Sequence, residues 1–451
     1  MGGPPRTPFF FVSPMKIIHL VIALGLFLNL HFAYSGEAGE SQAILELNVE
    51  QATDLATVWL EQGKTDQAEK LLKRLRSAPR PSLQVMFLSG QLAGMRGNWG
   101  KAIEEYRAIL ITDPKAVRVR LELARALFEI KDYPAALYHF ELALSEPLPD
   151  EAQKNVLRFV RDIRFRLSRW EIRLDLMSDT NINNATQNRD IVISGNHFTL
   201  SNDAMAKHGA GWYLGLFGRQ AFGADLSSFA QVQLESYDYS NRTNDRLFTQ
   251  ATVGKSFGLT DHIFTLEMGG HGSSYSGKTL YTGGLARIAD GWRINPSSLV
   301  TASYEFKQLN YADVQYLSGH QGTLNLGIAH AFGGDTIASL GGFLGYSEAK
   351  ETPYSYRYHG LRASFSHEMS HALTVGARIE SYKLNYNGDD IWFGYPREDT
   401  KNIIEVDLLR RDWSWQGFSP RLILGGQVNQ SNISLYEFNR AYFRVSFSRE
   451  F

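Results

Sequence analysis

The sequence predicts an α + β protein of two domains: an N-terminal α-helical tetratricopeptide solenoid, then a C-terminal transmembrane antiparallel β-barrel of about 14 strands. A 34-residue repeat of small and large residues lies between Ser41 and Arg169, a period-two alternation recurs fourteen times from Trp170 onward, and the last alternating stretch ends on Phe451. The first pattern is that of stacked helix pairs. The second is that of strands with one face in lipid and one in water.

Composition narrows the class. Hydrophobic residues make up 43% of the 451, yet mean hydropathy is negative, so membrane residence has to come from alternation and not from long apolar runs. A formal charge of −1 gives no basic field for nucleic acid, and no nucleic-acid partner is expected. There is no cysteine, which removes thiol nucleophiles, thiolate metal sites and disulfides together and permits an oxidising compartment. Residues 1–35 are expected to be a secretory signal: Lys16 precedes an apolar stretch from Ile17 to about Phe32, with small Ala33 and Ser35 at the cleavage site and Met15 the true start. The alternative is a retained membrane helix, for which the segment falls short of the roughly 20 residues a span needs.

The tetratricopeptide helical domain is expected over 41–169. Ala68, Ala102 and Ala136 are 34 apart, as are Leu72, Tyr106 and Phe140, followed by Leu75, Ile109 and Ala143. Small Ala suits the close crossing of two helices, and the large residue one turn on fills the groove between them. Gly90 and Ala124 hold the matching small position of the first helices, and Pro114 ends the second pair. A plain helical bundle is the alternative. A stack of this kind offers a concave face to an extended peptide, and Gln84, Gln91, Arg118 and Arg125 are the candidate client-binding residues there, with simple solvation the other reading. Five arginines between Arg158 and Trp170 suit either anionic headgroups or a solvated face.

The barrel is expected over 170–451. "WEIRLDLM" alternates Trp170, Ile172, Leu174 and Leu176 with Glu171, Arg173 and Asp175, and the pattern returns in "GWYLGLFGR", "FAQVQLESYDY" and eleven further stretches, ending in "RAYFRVSFSREF". Each is about ten residues, the length of a tilted spanning strand, and their number is even. Twelve or sixteen strands, or a soluble all-β domain, are the alternatives. The final strand has to pair with the first so that no open edge meets lipid. Trp170, Phe443, Val445, Phe447 and Phe451 are therefore assigned to closure and assembly, with the barrel-assembly machinery and outer-membrane lipids as partners. Arg449 falls on the lipid face, where it can snorkel to the interface.

Three catalytic patterns match by letter only. "HEMSH", from His367 to His371, needs a helix to bring both His and Glu368 to a metal, but joins two alternating stretches. "GSSYSGKT", from Gly272 to Thr279, opens a strand where a P-loop opens a helix. "GKSFG" around Ser256 precedes a turn and strand, not the helix of a nucleophile elbow. No catalytic residue, metal or cofactor is expected, and the chain is read as a non-enzyme. "SDTNINNATQ" follows the first strand and concentrates Asn181, Asn183 and Asn184, residues that tolerate left-handed backbone and cap themselves.

With "LARALFEIKDYPAA", "DTNINNA" and a barrel ending on Phe, the chain resembles the surface lipoprotein assembly modulator (Slam) family. The resemblance implies a 14-stranded outer-membrane translocon of a Gram-negative bacterium, with its helical domain in the periplasm. It would export specific client proteins, surface lipoproteins or soluble secreted binders such as haem carriers often encoded nearby, from periplasm to cell surface or medium. The alternative function is a passive or polysaccharide-export outer-membrane channel with a tetratricopeptide scaffold.

Overall fold

A computed structural model describes residues 47–450, apart from 79–80, 166–167, 194, 225, 241–242, 259–260, 370–372, 411–412 and 414–417. The signal expected over 1–35, Phe451, Arg166 and His371 lie outside the described residues. The chain forms two compact units, one up to Tyr106 and one from Arg107 onward.

The first unit holds α1 (Val49–Glu61), α2 (Thr65–Arg76), α3 (Leu83–Met95) and the start of α4 (Trp99–Thr112). Asn48 caps α1 with a reciprocal capping box to Gln51. Ala56, Leu60, Ala68, Leu72, Val85, Leu88 and Leu92 make its core. A Cβ on Gly90 would sit 2.5 Å from Tyr106 Cε1, so the small residue of one helix receives the large residue of the next, as the repeat requires.

The second unit begins with the third helix pair, α5 (Val117–Glu129) and α6 (Tyr133–Ala143), and a further helix α7 (Asp150–Phe165). Ala124, Ala136, Phe140 and Ala143 are buried, and Phe140 stacks on Phe159 of α7 at 5.2 Å. Each helix pair turns through a left-handed residue: Gly63 (φ 70°), Gly97 (φ 75°) and Lys131 (φ 66°). Glycine adopts that conformation without steric cost, and lysine does not.

The barrel opens with β1 (Arg169–Asp179), and a detached hairpin of β2 (Asp190–Ile193) and β3 (Asn196–Thr199) stands before β4 (Gly209–Phe222). Then come β5 (Ser228–Tyr239), β6 (Arg246–Gly258), β7 (His262–Tyr275), β8 (Lys278–Asn295), β9 (Ser298–Tyr311) and β10 (Gly319–Phe332). The last six are β11 (Thr336–Ala349), β12 (Tyr356–Met369), β13 (Leu373–Asp389), β14 (Pro396–Arg410), β15 (Ser419–Ser431) and β16 (Phe438–Glu450). β1 and β4 to β16 form one closed antiparallel ring of fourteen strands, in which β1 pairs with both β4 and β16. Leu176, Met268, Leu326, Leu361 and Ile404 are among its many exposed apolar side chains, the outward band of a barrel seated in lipid. Helices α5 to α7 and the start of β1 lie at one rim, the periplasmic one, and the connections after β1, β5, β7, β9, β11, β13 and β15 lie at the other.

Strands run from 11 residues in β1 to 18 in β8, longer than the ten the alternation suggests. The period-two pattern marks only the part in hydrocarbon; beyond it both faces meet water and the strand continues without the pattern.

Candidate functional site

The candidate helical residues differ in burial. Gln84 is exposed and Arg118 half-buried, whereas Gln91 and Arg125 are 6% and 7% exposed. In the first unit, a groove of about 660 Å³ between α2, α3 and α4 is lined by Lys73, Arg76, Arg96, Lys101 and Glu69. Arg96 holds Asp66 (2.6 Å) and Glu69 (2.7 Å), and Arg76 holds Glu105. Sequence reading did not single out these cations; their signal was a basic cluster at the end of α2.

The third helix pair is fastened to the periplasmic rim by buried polar contacts. Arg120, 1% exposed, donates to Glu368 of β12 (2.7 Å) and to the Pro114 carbonyl (2.6 Å), and its Nη1 lies 3.1 Å from His139 Nδ1. Glu141 of α6 receives Arg164 of α7 (2.8 Å) and Arg293 at the end of β8 (2.6 Å). Burial pushes the Glu141 pKa up, but Arg164 and Arg293 outweigh it and hold the carboxyl below its ordinary value. The Gly334 amide, in the turn after β10, donates to Ser145 Oγ (2.8 Å). These anchors lie on β8, the β10–β11 turn and β12. Four strands, β13 to β16, separate them from the β1–β16 seam on one side, and β1 with β4 to β7 on the other. The fastened wall is thus the one across the barrel from the seam.

Two letter matches acquire structural tasks here. Glu368 of "HEMSH" is the partner of Arg120, and His367 Nδ1 lies 2.8 Å from Thr336 Oγ1 on the neighbouring strand. The "GSSYSGKT" stretch is the β7–β8 hairpin, turning at Ser276 (φ 50°) and Gly277 (φ 75°), the paired left-handed residues of a tight hairpin turn. Ser256 sits in β6, 3.2 Å from Thr265 Oγ1.

At the seam, β1 and β16 keep register from Glu171 opposite Glu450 to Asp179 opposite Tyr442, nine pairs, against fourteen for β10 and β11. Trp170, Phe443 and Phe447 are exposed on its outer face and Val445 is half-buried. Arg449 lies over the Phe418 ring at 5.9 Å. Where the pairing ends, the asparagine segment takes over. Asn181, fully buried, donates to the carbonyls of Ala185 (2.8 Å) and Asn439 (3.1 Å) and accepts from the Ala185 amide (3.0 Å). Asn183 exchanges hydrogen bonds with the chain entering β4, to Met205 O and from Lys207 N, both 2.9 Å. Asn184 is left-handed (φ 51°) and accepts from Arg440 (3.4 Å). Arg440 also closes on Asp179 (2.5 Å), which is 4% exposed. The three asparagines therefore have three separate tasks, bridging the seam, holding the returning chain and turning the backbone.

Inside the lumen, charges of alternating sign run across neighbouring strands toward the seam. Arg362 of β12 pairs with Glu380 of β13 (3.4 Å), Glu380 with Arg378 (2.8 Å), Arg378 with Glu405 of β14 (3.7 Å), and Glu405 with Arg444 of β16 (2.8 Å). The line skips β15 because Gly425 leaves room there: a Cβ would lie 2.3 Å from the Tyr442 ring, which crosses β15 to hydrogen-bond Glu405 at 2.7 Å. A row of rings, Phe343, Tyr382, Tyr356 and Tyr386, faces the same space, with Phe343 and Tyr382 5.7 Å apart and Tyr356 and Tyr386 5.1 Å apart.

Comparison with known proteins adds the family. Residues 169–451 match the family model described as surface lipoprotein assembly modifier, and residues 41–140 the model of that family's N-terminal TPR repeats. A surface lipoprotein assembly modifier of Moraxella catarrhalis is 27% identical over 79% of this chain and 71% of its own length. Surface lipoprotein assembly modifier 1 of Neisseria meningitidis serogroup B is 23% identical over 84% and 78%. Among solved structures, OmpT, an outer membrane protein of Vibrio cholerae, aligns over 63% of this chain and 97% of its own at 9% identity, with a TM-score of 0.36.

Proposed function

Because this chain belongs to the surface lipoprotein assembly modifier family, we propose that it is the translocon through which particular client proteins pass from the periplasm to the cell surface. Clients are surface lipoproteins or soluble secreted binders such as haem carriers, encoded nearby. The observation that carries the reading is the placement of the helical anchor: Arg120–Glu368 and Glu141–Arg293 tie the third repeat to the wall opposite the seam. The third helix pair is then held at the periplasmic mouth while the strands beside β1 and β16 are free to part. No nucleotide is on hand at the outer membrane, so the task is to hold an extended client and lower its barrier to passage. The basic groove of α2 to α4, with Gln84, supplies capture in the first unit, and Arg118 supplies it separately in the third helix pair. The polar lumen or the seam supplies passage, and the outward aromatics of β1 and β16 serve insertion by the barrel-assembly machinery.

Co-expression with the neighbouring client, scored by protease accessibility on intact cells, tests the reading. Deletion of residues 41–106 with the barrel still inserted should abolish display; unchanged display refutes capture by the helices. The luminal ring row favours a second reading, export of a polysaccharide whose sugar faces pack on aromatics. Secreted sugar with no displayed protein would select it.

A further inference from the structure

On the outer face of the barrel, one register row crosses five chain segments: Ile379 of β13, Ile404 of β14, Gly426 of β15, Ala441 of β16, and Thr180 just past β1. The last link is double, Thr180 N to Ala441 O (3.0 Å) and Ala441 N to Thr180 Oγ1 (2.9 Å). Side chains shrink from Ile to Gly and Ala as the row nears the seam. The next row toward the periplasm, Val406, Leu424 and Phe443, is apolar and stands proud. The next row outward, Ser381, Asn402, Val428 and Asn439, is mostly polar. Between them lies a groove of about 340 Å³, at the outer limit of the apolar band, where hydrocarbon gives way to ester and amide groups.

The chemistry of its edge is selective. Asn402, Asn439 and Thr180 present neutral amides and a hydroxyl. The nearby cation Arg440 is spent on Asp179 at 2.5 Å. A bulk phospholipid or a lipid A would bring a phosphate to an edge whose lining cation, Arg440, already holds a carboxylate. A lipidated N-terminal cysteine brings ester and amide carbonyls, which neutral donors satisfy.

We propose that this groove is a binding site for one acyl chain of a lipidated N-terminal cysteine, the anchor of a lipoprotein client, held at the outer end of the β1–β16 seam. The proposal rests on the translocon reading for the source of the lipid. Its test is independent of display. Full-length protein in nanodiscs is exposed to three probes carrying the same photoreactive group in one acyl chain: a diacylglyceryl-cysteine tetrapeptide, phosphatidylethanolamine, and lipid A. Labelled peptides are mapped by mass spectrometry. Gly426→Leu fills the groove, and it is compatible with folding because the nearest heavy atoms to an added Cβ are 3.7 and 3.8 Å away. Gly342→Leu, on the outer face of β11, is the control for bulk lipid contact.

The lipopeptide should label the segments containing Ile404, Gly426 and Ala441 in preference to both phosphate lipids. Gly426→Leu should cut that labelling about tenfold, the effect of displacing roughly two buried methylenes, with heat-modifiable mobility unchanged and Gly342→Leu without effect. Equal labelling by a phosphate lipid, or undiminished labelling of Gly426→Leu, overturns the groove. Either result alongside intact client display on cells removes the groove and leaves the translocon reading standing, whereas selective labelling with no client display overturns that reading and keeps the groove as a lipopeptide site.

Discussion

The wall bearing the third helix pair and the wall at the seam are closed by different means. At β8 to β12 the strands pair over twelve to fourteen residues, and side chains are spent on holding helices: Arg120 on Glu368, Arg293 on Glu141. At β1 and β16 the pairing covers nine residues, and side chains finish the closure: Arg440 on Asp179, Asn181 across to Asn439. One side is a mount and the other a fastening. The difference teaches that a barrel can use the same arginine–carboxylate chemistry for docking where the ladder is long and for sealing where it is short.

The mount is most exposed to loss of one charge. Arg120→Ala leaves Glu368 buried and unpaired, and should cost about 3–5 kcal/mol of docking; limited proteolysis will then release the helices while the barrel stays heat-modifiable. Replacing both partners by Met should recover much of the loss, and equal protease resistance in Arg120→Ala would dissolve the contrast between the two walls.

Acid probes the same mount through Glu141. A carboxylate whose folded pKa is lowered stabilises the fold above its unfolded pKa of about 4.3 and loses that contribution as pH falls through the lowered value. Docking should therefore be flat from about pH 7 to 5 and weaken progressively as pH falls past the unfolded value and through the lowered one, and Glu141→Gln should be weaker at pH 7 with no acid step traceable to this site. Proteolysis profiles at each pH with an acid-active protease read both.

On the seam, Asn181→Ala removes three part-buried hydrogen bonds to the backbones of Ala185 and Asn439 and should cost about 1–3 kcal/mol, seen as a lower temperature for loss of heat-modifiable mobility. An equal drop for an asparagine replaced at the exposed far end of β13, such as Asn387→Ala, would deny the seam its special dependence. Next in size, Gly425→Ala should cost about 1–3 kcal/mol by driving Tyr442 off Glu405, whereas the adjacent outward Gly426→Ala is neutral. If the two behave alike in thermal scans, Tyr442 is not the bridge across β15. The smallest effect belongs to the mount's own turn: Lys131→Gly, restoring the residue found at positions 63 and 97, should stabilise by about 0.5–1 kcal/mol.

Much of this architecture was readable before any coordinates. The 34-residue spacing placed Ala68, Ala102 and Ala136 at helix crossings, and all three are fully buried. The alternation placed each of the fourteen strands, because the period of a strand's side chains is a property of the strand alone. "HEMSH" shows the limit. Letters named a metal motif, and strand context removed the helix it needed, but nothing local pointed Glu368 toward an arginine 248 residues earlier. Arg118 and Arg125 were chosen by repeat position, and Arg120, between them, was passed over because its value lies in its partner.

The sequence by itself determined what local periodicity can encode: helix pairs, spanning strands, which faces are apolar, and where glycine, proline and asparagine turn the chain. Tertiary structure alone decided which charges are buried and with whom. Asp179 and Arg440 are 261 residues apart, and Asn181 and Asn439 are 258 apart. Their attraction exists only after ring closure brings first and last strands together and excludes water, and no pattern within a single strand carries that information.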